Sequence, residues 1–223
     1  MERPERFAFG LFDFDGVIAD TEPMYLEADR RALAQLGYEP TDAELHTFIG
    51  HPSERMAPAL LAEHGIHATA EDYLAARNVT RDIYGNPALG PMEGLDELWE
   101  ALVAHDVRVG VVSSSRVSDL VLALNRFDLL RYVNVVVGRD YVEHLKPAPD
   151  PYLRALAFLS PSEPVEQAAM RAFAVEDSPG GIASANAAGL YVMALAASNV
   201  AQDTSAASET LPSHHAIKRA LFG

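Results

Sequence analysis

The sequence predicts a parallel α/β sheet with helices on both faces, interrupted after its first strand by a helical insertion. Three observations predict it. From Gly94 onward, short apolar runs alternate with helical spacings, the pattern of strand–helix–strand units in a parallel sheet. Between Thr21 and Gly94 the strand pattern vanishes and apolar residues recur at intervals of three and four, as on amphipathic helices. Four of the apolar runs end in polar clusters, and in an open parallel sheet sites gather outside the carboxyl ends of the strands.

The first strand is the run Phe7 to Phe12, which ends in Asp13-Phe14-Asp15-Gly16-Val17-Ile18-Ala19-Asp20-Thr21. Aspartate is a poor strand former, so the pair flanking Phe14 marks where a buried strand reaches the surface. Helices are expected at Met24 to Leu36, Asp42 to Phe48, Ser53 to His64 and Ala70 to Tyr84, with turns at Gly37, Gly50-His51-Pro52 and Gly85-Asn86-Pro87. Thereafter come a helix at Leu95 to His105, a strand at Val107 to Val112, a helix at Val117 to Asn125 and a strand at Val133 to Val137. A helix at Pro151 to Leu159, a strand at Ala172 to Val175, a helix at Gly181 to Ala188 and a strand at Tyr191 to Leu195 follow. Ala196 to Ser213, rich in Ala, Ser, Thr and Asn, has no period and reads as a loop before a short helix ending near Phe222. The expected core is discontinuous, residues 1–21 and 91–223, with a helical cap at 22–90 and a hinge where the chain crosses twice.

Half of the 223 residues are apolar, enough for a sizeable core. With 17 basic against 32 acidic side chains, the surface disfavours nucleic acid and anionic membranes, both bound through clustered Lys and Arg. The chain has no cysteine, which excludes disulfides and thiolate chemistry. The first residues lack a secretory signal pattern and no run approaches the ~20 apolar residues of a membrane span, so a cytoplasmic protein, a monomer or weak homo-oligomer, is expected.

Beside the Asp13/Asp15 pair stand Ser113-Ser114-Ser115-Arg116 after the second strand, Lys146-Pro147-Ala148-Pro149-Asp150 beyond the third, and Glu176-Asp177-Ser178-Pro179-Gly180-Gly181 after the fourth. Each has an ordinary reading: Asp-Gly is a turn signal, serine before a helix is an N-cap worth ~1 kcal/mol, and a loop lysine is usually solvated. Lys146 is more telling, because the only other lysine is Lys218. In this order the four motifs resemble those of the haloacid dehalogenase-like hydrolases, closest to the branch of β-phosphoglucomutase and small sugar phosphatases. The resemblance runs from Asp13 to Asp177.

That resemblance implies a Rossmann-like core with a helical cap, and a magnesium-dependent phosphatase acting on a small phosphorylated metabolite such as a sugar phosphate. Asp13 would be nucleophile and magnesium ligand, joined by the carbonyl of Asp15 and by Asp177, with Glu176 supporting the ion. Asp15 would act as acid and then base, Ser113 would hydrogen-bond the phosphoryl group, and Lys146 would neutralise charge shared by phosphate and Asp13. Ser114, Ser115, Arg116, Thr21, His51 and Arg55 are candidate substrate contacts.

Two alternatives stay open, a β-phosphoglucomutase-like isomerase and a non-catalytic binding protein on the same fold. Mutases of this branch usually carry a histidine where this chain has Tyr25. They also place a lysine where it has Ile49, and an arginine where it has Ser53. A phosphonate-cleaving relative would need a cap lysine, and residues 22–93 contain none.

Overall fold

The computed structural model describes residues 3–49, 53–78, 80–196 and 202–223. Contacts divide it into two compact units, one formed by residues 1–20 and 90–223 and the other by residues 21–89.

The larger unit starts with β1 (Phe9–Phe12), buried at every position. Its apolar side chains on both faces suit the centre of a sheet covered by helices. The second unit follows, with α1 (Glu22–Gln35), α2 (Asp42–His46), α3 (Ser53–Glu63), α4 (Ala70–Ala76) and α5 (Thr80–Gly85). The chain then returns through α6 (Leu95–Ala104), β2 (Arg108–Val112), α7 (Val117–Arg126), β3 (Val133–Val137), α8 (Asp150–Leu159) and α9 (Val165–Ala169). It ends with β4 (Ala172–Glu176), α10 (Pro179–Ala187), β5 (Tyr191–Leu195), β6 (Glu209–Leu211) and α11 (His214–Phe222).

Among the described residues six strands form one parallel sheet, in the order β3-β2-β1-β4-β5-β6. This is the parallel α/β architecture the sequence predicts. The winding reverses at β1, and Phe12 lies opposite Val111 on one neighbour and Val175 on the other. Asp13, one residue further, therefore emerges at the topological switch point, where ligands of such sheets bind. One core cluster joins Phe9 and Leu11 of β1 to Tyr152 and Leu156 of α8, Ala168 of α9 and Ile182 of α10. On the opposite face of β1, Phe12 meets Trp99 of α6 edge-on at 5.3 Å and Phe173 of β4 at 5.9 Å.

Three elements differ from the sequence reading. Ala70 to Tyr84 is not one helix but two, because α4 closes at Arg77 and α5 begins at Thr80. Helix α9 has no counterpart in the sequence pattern, because its five residues are too few for a periodic signal. The segment Ala196 to Ser213 is not all loop. Within it β6 pairs with β5, Met193 opposite Glu209, and the N–H of Ala196 donates to the carbonyl of Leu211 at 2.9 Å. A three-residue Glu-Thr-Leu edge strand carries no apolar run, so its pairing is set by the neighbouring strand rather than by local propensity.

Two threonines start helices in the second unit with reciprocal capping boxes, Thr41 with Glu44 and Thr69 with Asp72. This unit has its own core, built on Leu33, Leu45, Phe48, Leu61 and Tyr73. Its ends are tied together by Tyr25 and Tyr84, whose hydroxyls are 3.0 Å apart, and by Asn86, whose amide donates to the Met24 sulfur. Asp29, only 2% exposed, accepts from the Tyr73 hydroxyl at 2.6 Å, the Ser53 hydroxyl at 3.2 Å and Nε of Arg77. Replacing Asp29 with alanine leaves the Arg77 charge without its partner, so Asp29→Ala is expected to destabilise the protein by about 3 kcal/mol. Urea unfolding measures this, and a loss below about 1 kcal/mol shows that the network does not hold these helices.

His214 opens α11 with its ring 1% exposed and Nδ1 3.3 Å from the carbonyl of Glu93. Burial pushes its pKa down to about 4. The unfolded chain takes up this proton near pH 6.5 and the folded chain only near pH 4, so folding weakens as pH falls through that window. Between pH 7 and pH 5 the contribution is about 2 kcal/mol. Urea unfolding of wild type and His214→Gln at both pH values checks it, the variant being expected to show a correspondingly smaller loss.

Candidate active site

Four chain segments meet at the carboxyl edge of the sheet in the larger unit. Asp13 leaves β1 with its N–H bonded to the carbonyl of Val175, and Ser113 leaves β2 with its N–H bonded to the carbonyl of Val137, both at 3.0 Å. Glu176 is the last residue of β4, and Asp177 follows it. Lys146 comes from the loop before α8, across a cis peptide bond to Pro147.

Lys146 is the hub. Its ammonium donates to Asp13 Oδ1 at 2.8 Å, to Glu176 Oε1 at 2.5 Å and to the carbonyl of Val112 at 3.0 Å. That accounts for all three of its N–H groups. The side chain is 8% exposed, and Glu176 is fully buried. Glu176 Oε1 also accepts from the hydroxyl of Tyr152 at 2.6 Å, while Oε2 meets the Ser178 hydroxyl at 3.4 Å. The Ser178 hydroxyl in turn caps α10 by accepting from the N–H of Gly181.

Beyond Asp13 the chain folds back at once, the carbonyl of Phe14 accepting from the N–H groups of Val17, Ile18 and Ala19. This turn holds Asp15 within 3.4 Å of the Ser113 hydroxyl, which also accepts from the N–H of Ser115. Ser113 is not a helix cap, since α7 starts at Val117 with Arg116 in the capping position. Gly16 sits at φ +76°, and a Cβ there would run into the Asp177 carboxylate. A Cβ on Gly181 would run into Glu176 in the same way.

The electrostatics follow from burial. Asp13 is pushed well above the usual carboxylate range by desolvation, against the pull of Lys146 and with the help of Glu176, Asp15 and Asp177. Burial and the charges of Glu176 and Asp15 raise Asp177 to about 7. Desolvation alone would lower Lys146, but Asp13 and Glu176 outweigh it and hold the ammonium well above its ordinary value. Lys146 thus bonds to Asp13 and Glu176, and its charge also bears on Asp177. Asp13, Glu176 and Asp177 each offer an oxygen within 4.8 Å of the others, an all-oxygen donor set of the kind that fits a hard divalent cation.

The residues expected to carry the chemistry, Asp13, Asp15, Ser113, Lys146, Glu176 and Asp177, are thus gathered in one place. Of the candidate substrate contacts, Ser115 is half-buried beside Ser113, whereas Ser114 and Arg116 are exposed. Thr21 is buried at the start of α1, Arg55 is exposed on α3, and His51 lies outside the described residues. Tyr152 joins these residues through its hydroxyl on Glu176. It sits on the apolar face of α8, where nothing in the sequence separates it from an ordinary core aromatic.

An aspartate at the end of the central parallel strand, bridged by a buried lysine to a second acidic cluster, defines a phosphohydrolase-type α/β enzyme. The chain belongs to the haloacid dehalogenase-like hydrolases, whose sequence profile matches residues 11–195, in the branch shared by β-phosphoglucomutase-like proteins and sugar phosphatases. It is 30% identical over 191 residues to fructose-1-phosphate phosphatase YqaB of Escherichia coli, covering 83% of this chain and 95% of that one. A phosphorylated carbohydrates phosphatase of Thermotoga maritima is 29% identical over 181 residues, 81% of each chain. Among solved structures, a HAD family hydrolase from Deinococcus radiodurans, crystallised with bound phosphate and sodium, superposes with a TM-score of 0.76 at 25% identity. The match covers 98% of this chain and 96% of that one.

Gly16→Ala tests the close approach of the turn to Asp177. The substitution combines a strained backbone with displacement of a carboxylate by about an ångström, so phosphatase kcat/KM is expected to fall about a hundredfold. Activity within threefold of wild type shows that the turn can move away from Asp177 without consequence.

Proposed function

We propose that the protein is a magnesium-dependent phosphatase that hydrolyses a small phosphorylated metabolite of the sugar-phosphate class through an aspartyl-phosphate intermediate. The observation that carries this reading is the Lys146 ammonium shared between Asp13 and Glu176, with Asp177 alongside. A carboxylate attacks a phosphate only if their mutual repulsion is relieved, and a buried cation held beside that carboxylate does this.

Asp13 attacks phosphorus and the bond to the substrate oxygen breaks, Asp15 giving that oxygen its proton. Asp15 then takes a proton from the water that attacks the aspartyl phosphate, which releases inorganic phosphate and restores Asp13. Lys146 and Ser113 hold the phosphoryl oxygens through this exchange. Asp13, Asp177, the carbonyl of Asp15 and Glu176 would hold magnesium, which supplies charge neutralisation and orientation of the phosphate. The close grouping of Asp13, Glu176 and Asp177 supports that assignment.

The sugar-phosphate class is supported by the relatives named for fructose 1-phosphate and for phosphorylated carbohydrates. We assign selection among such substrates to the helical unit, to which Thr21, His51 and Arg55 belong, and to Ser114, Ser115 and Arg116. Ser53, at the position where mutases of this branch carry arginine, donates to Asp29, which favours hydrolysis over the mutase reading.

The test is phosphate release from a panel of sugar and other metabolite phosphates. With magnesium present, wild type is expected to release phosphate and Asp13→Asn to lose about a thousandfold or more; chelation is expected to abolish release. Equal release by both proteins refutes Asp13 as nucleophile. Interconversion of glucose phosphate isomers without release identifies a mutase.

A further inference from the structure

Lys146 has no N–H left for a substrate: Asp13, Glu176 and the Val112 carbonyl take all three. To hold a phosphoryl oxygen as well, the ammonium has to leave one of these acceptors. The Val112 carbonyl belongs to the sheet backbone, and Asp13 is the group whose charge the ammonium has to neutralise. Glu176 differs from both, because its Oε1 already has a second donor, the Tyr152 hydroxyl at 2.6 Å. Tyr152 is fully buried in the α8 layer of the core, and the Lys146 ammonium lies 5.1 Å from the centre of its ring. Without that hydroxyl, a turn of Lys146 toward substrate would leave Glu176 Oε1 with no hydrogen-bond donor, and a buried unsatisfied acceptor is costly even where the carboxylate also supports a metal.

We propose that Tyr152 is a positioning residue for phosphoryl transfer: its hydroxyl keeps Glu176 Oε1 hydrogen-bonded while the Lys146 ammonium turns from Glu176 to the phosphoryl oxygens. The inference rests on the reading of Asp13 and Lys146 as the phosphoryl site. Tyr152 supplies no proton and touches no reacting atom; it sets how easily Lys146 exchanges one acceptor for another.

Tyr152→Phe removes the hydroxyl and keeps the ring, and inorganic phosphate is the probe. Its dissociation constant is measured by calorimetry, with magnesium, for wild type, Tyr152→Phe, Glu176→Gln and the double variant. Loss of one hydrogen bond to a charged group is expected to weaken phosphate about tenfold in Tyr152→Phe. In the Glu176→Gln background the neutral amide no longer retains the ammonium, so the same replacement is expected to change the affinity less than about twofold. An equal loss in both backgrounds marks Tyr152 as merely structural and overturns the proposal, as does unchanged affinity in the single variant.

Should Tyr152→Phe fail to fold, a crystal structure of wild type with inorganic phosphate decides the matter. The proposal expects Lys146 Nζ on a phosphate oxygen and the Tyr152 hydroxyl still on Glu176. Lys146 remaining on Glu176 with phosphate bound overturns it. If wild type neither binds phosphate nor releases it from any substrate, the phosphoryl reading falls and this inference with it. If wild type does both and Tyr152→Phe matches it, only the role of Tyr152 falls.

Discussion

One buried ammonium holds the catalytic edge of this protein together. Four carboxylates, Asp13, Asp15, Glu176 and Asp177, lie where the strands end, and Glu176 is removed from water altogether. Such a concentration of negative charge would force its members to take up protons or move apart. Lys146 opposes this by bonding at once to the ends of β1, β2 and β4, although burial still holds Asp13 above the usual carboxylate range. The contact that would make Asp13 usable as the proposed nucleophile therefore also fixes the mutual positions of three strand ends.

The rest of the larger unit can be understood as the support of that contact. Pro149 and Asp150 start α8 immediately after the lysine loop, and α8 packs into the core through Tyr152, Ala155, Leu156 and Leu159. The loop is thus anchored at one end by a buried helix. Ser184 of α10 holds it from another side by donating to the carbonyl of Ala148. The glycines at 16 and 181 act by what they lack, leaving the room that the Asp177 and Glu176 carboxylates occupy.

The parts of this architecture legible in the sequence are those where burial leaves a one-dimensional trace. Strands covered on both faces need uninterrupted apolar runs, so β1, β4 and β5 stand out, and an acidic residue at the end of such a run has few structural explanations. Where the trace is short or mixed, the reading fails. Strand β6 has three residues, α9 has five, and the break between α4 and α5 carries no glycine or proline to announce it. Tyr152 shows a different limit. A tyrosine on the apolar face of a helix is ordinary, and only the three-dimensional arrangement reveals that its hydroxyl meets Glu176 rather than a backbone carbonyl or solvent.

The machinery at the sheet edge does not by itself determine where the phosphoryl group goes. In the proposed mechanism an aspartyl phosphate beside a lysine would transfer to any oxygen nucleophile brought in line, water or a sugar hydroxyl, and Asp15 would deprotonate either. Choice of acceptor therefore belongs to groups that admit or exclude a second substrate. In the helical unit the positions at which mutases of this branch carry charged or imidazole side chains are occupied otherwise. The Tyr25 hydroxyl pairs with Tyr84 and its ring lies 5.3 Å from the Arg77 guanidinium, while Ser53 donates to Asp29. Side chains committed in this way to neighbours within their own unit are poor instruments for seating a second sugar phosphate, which is the physical ground for proposing water as the acceptor.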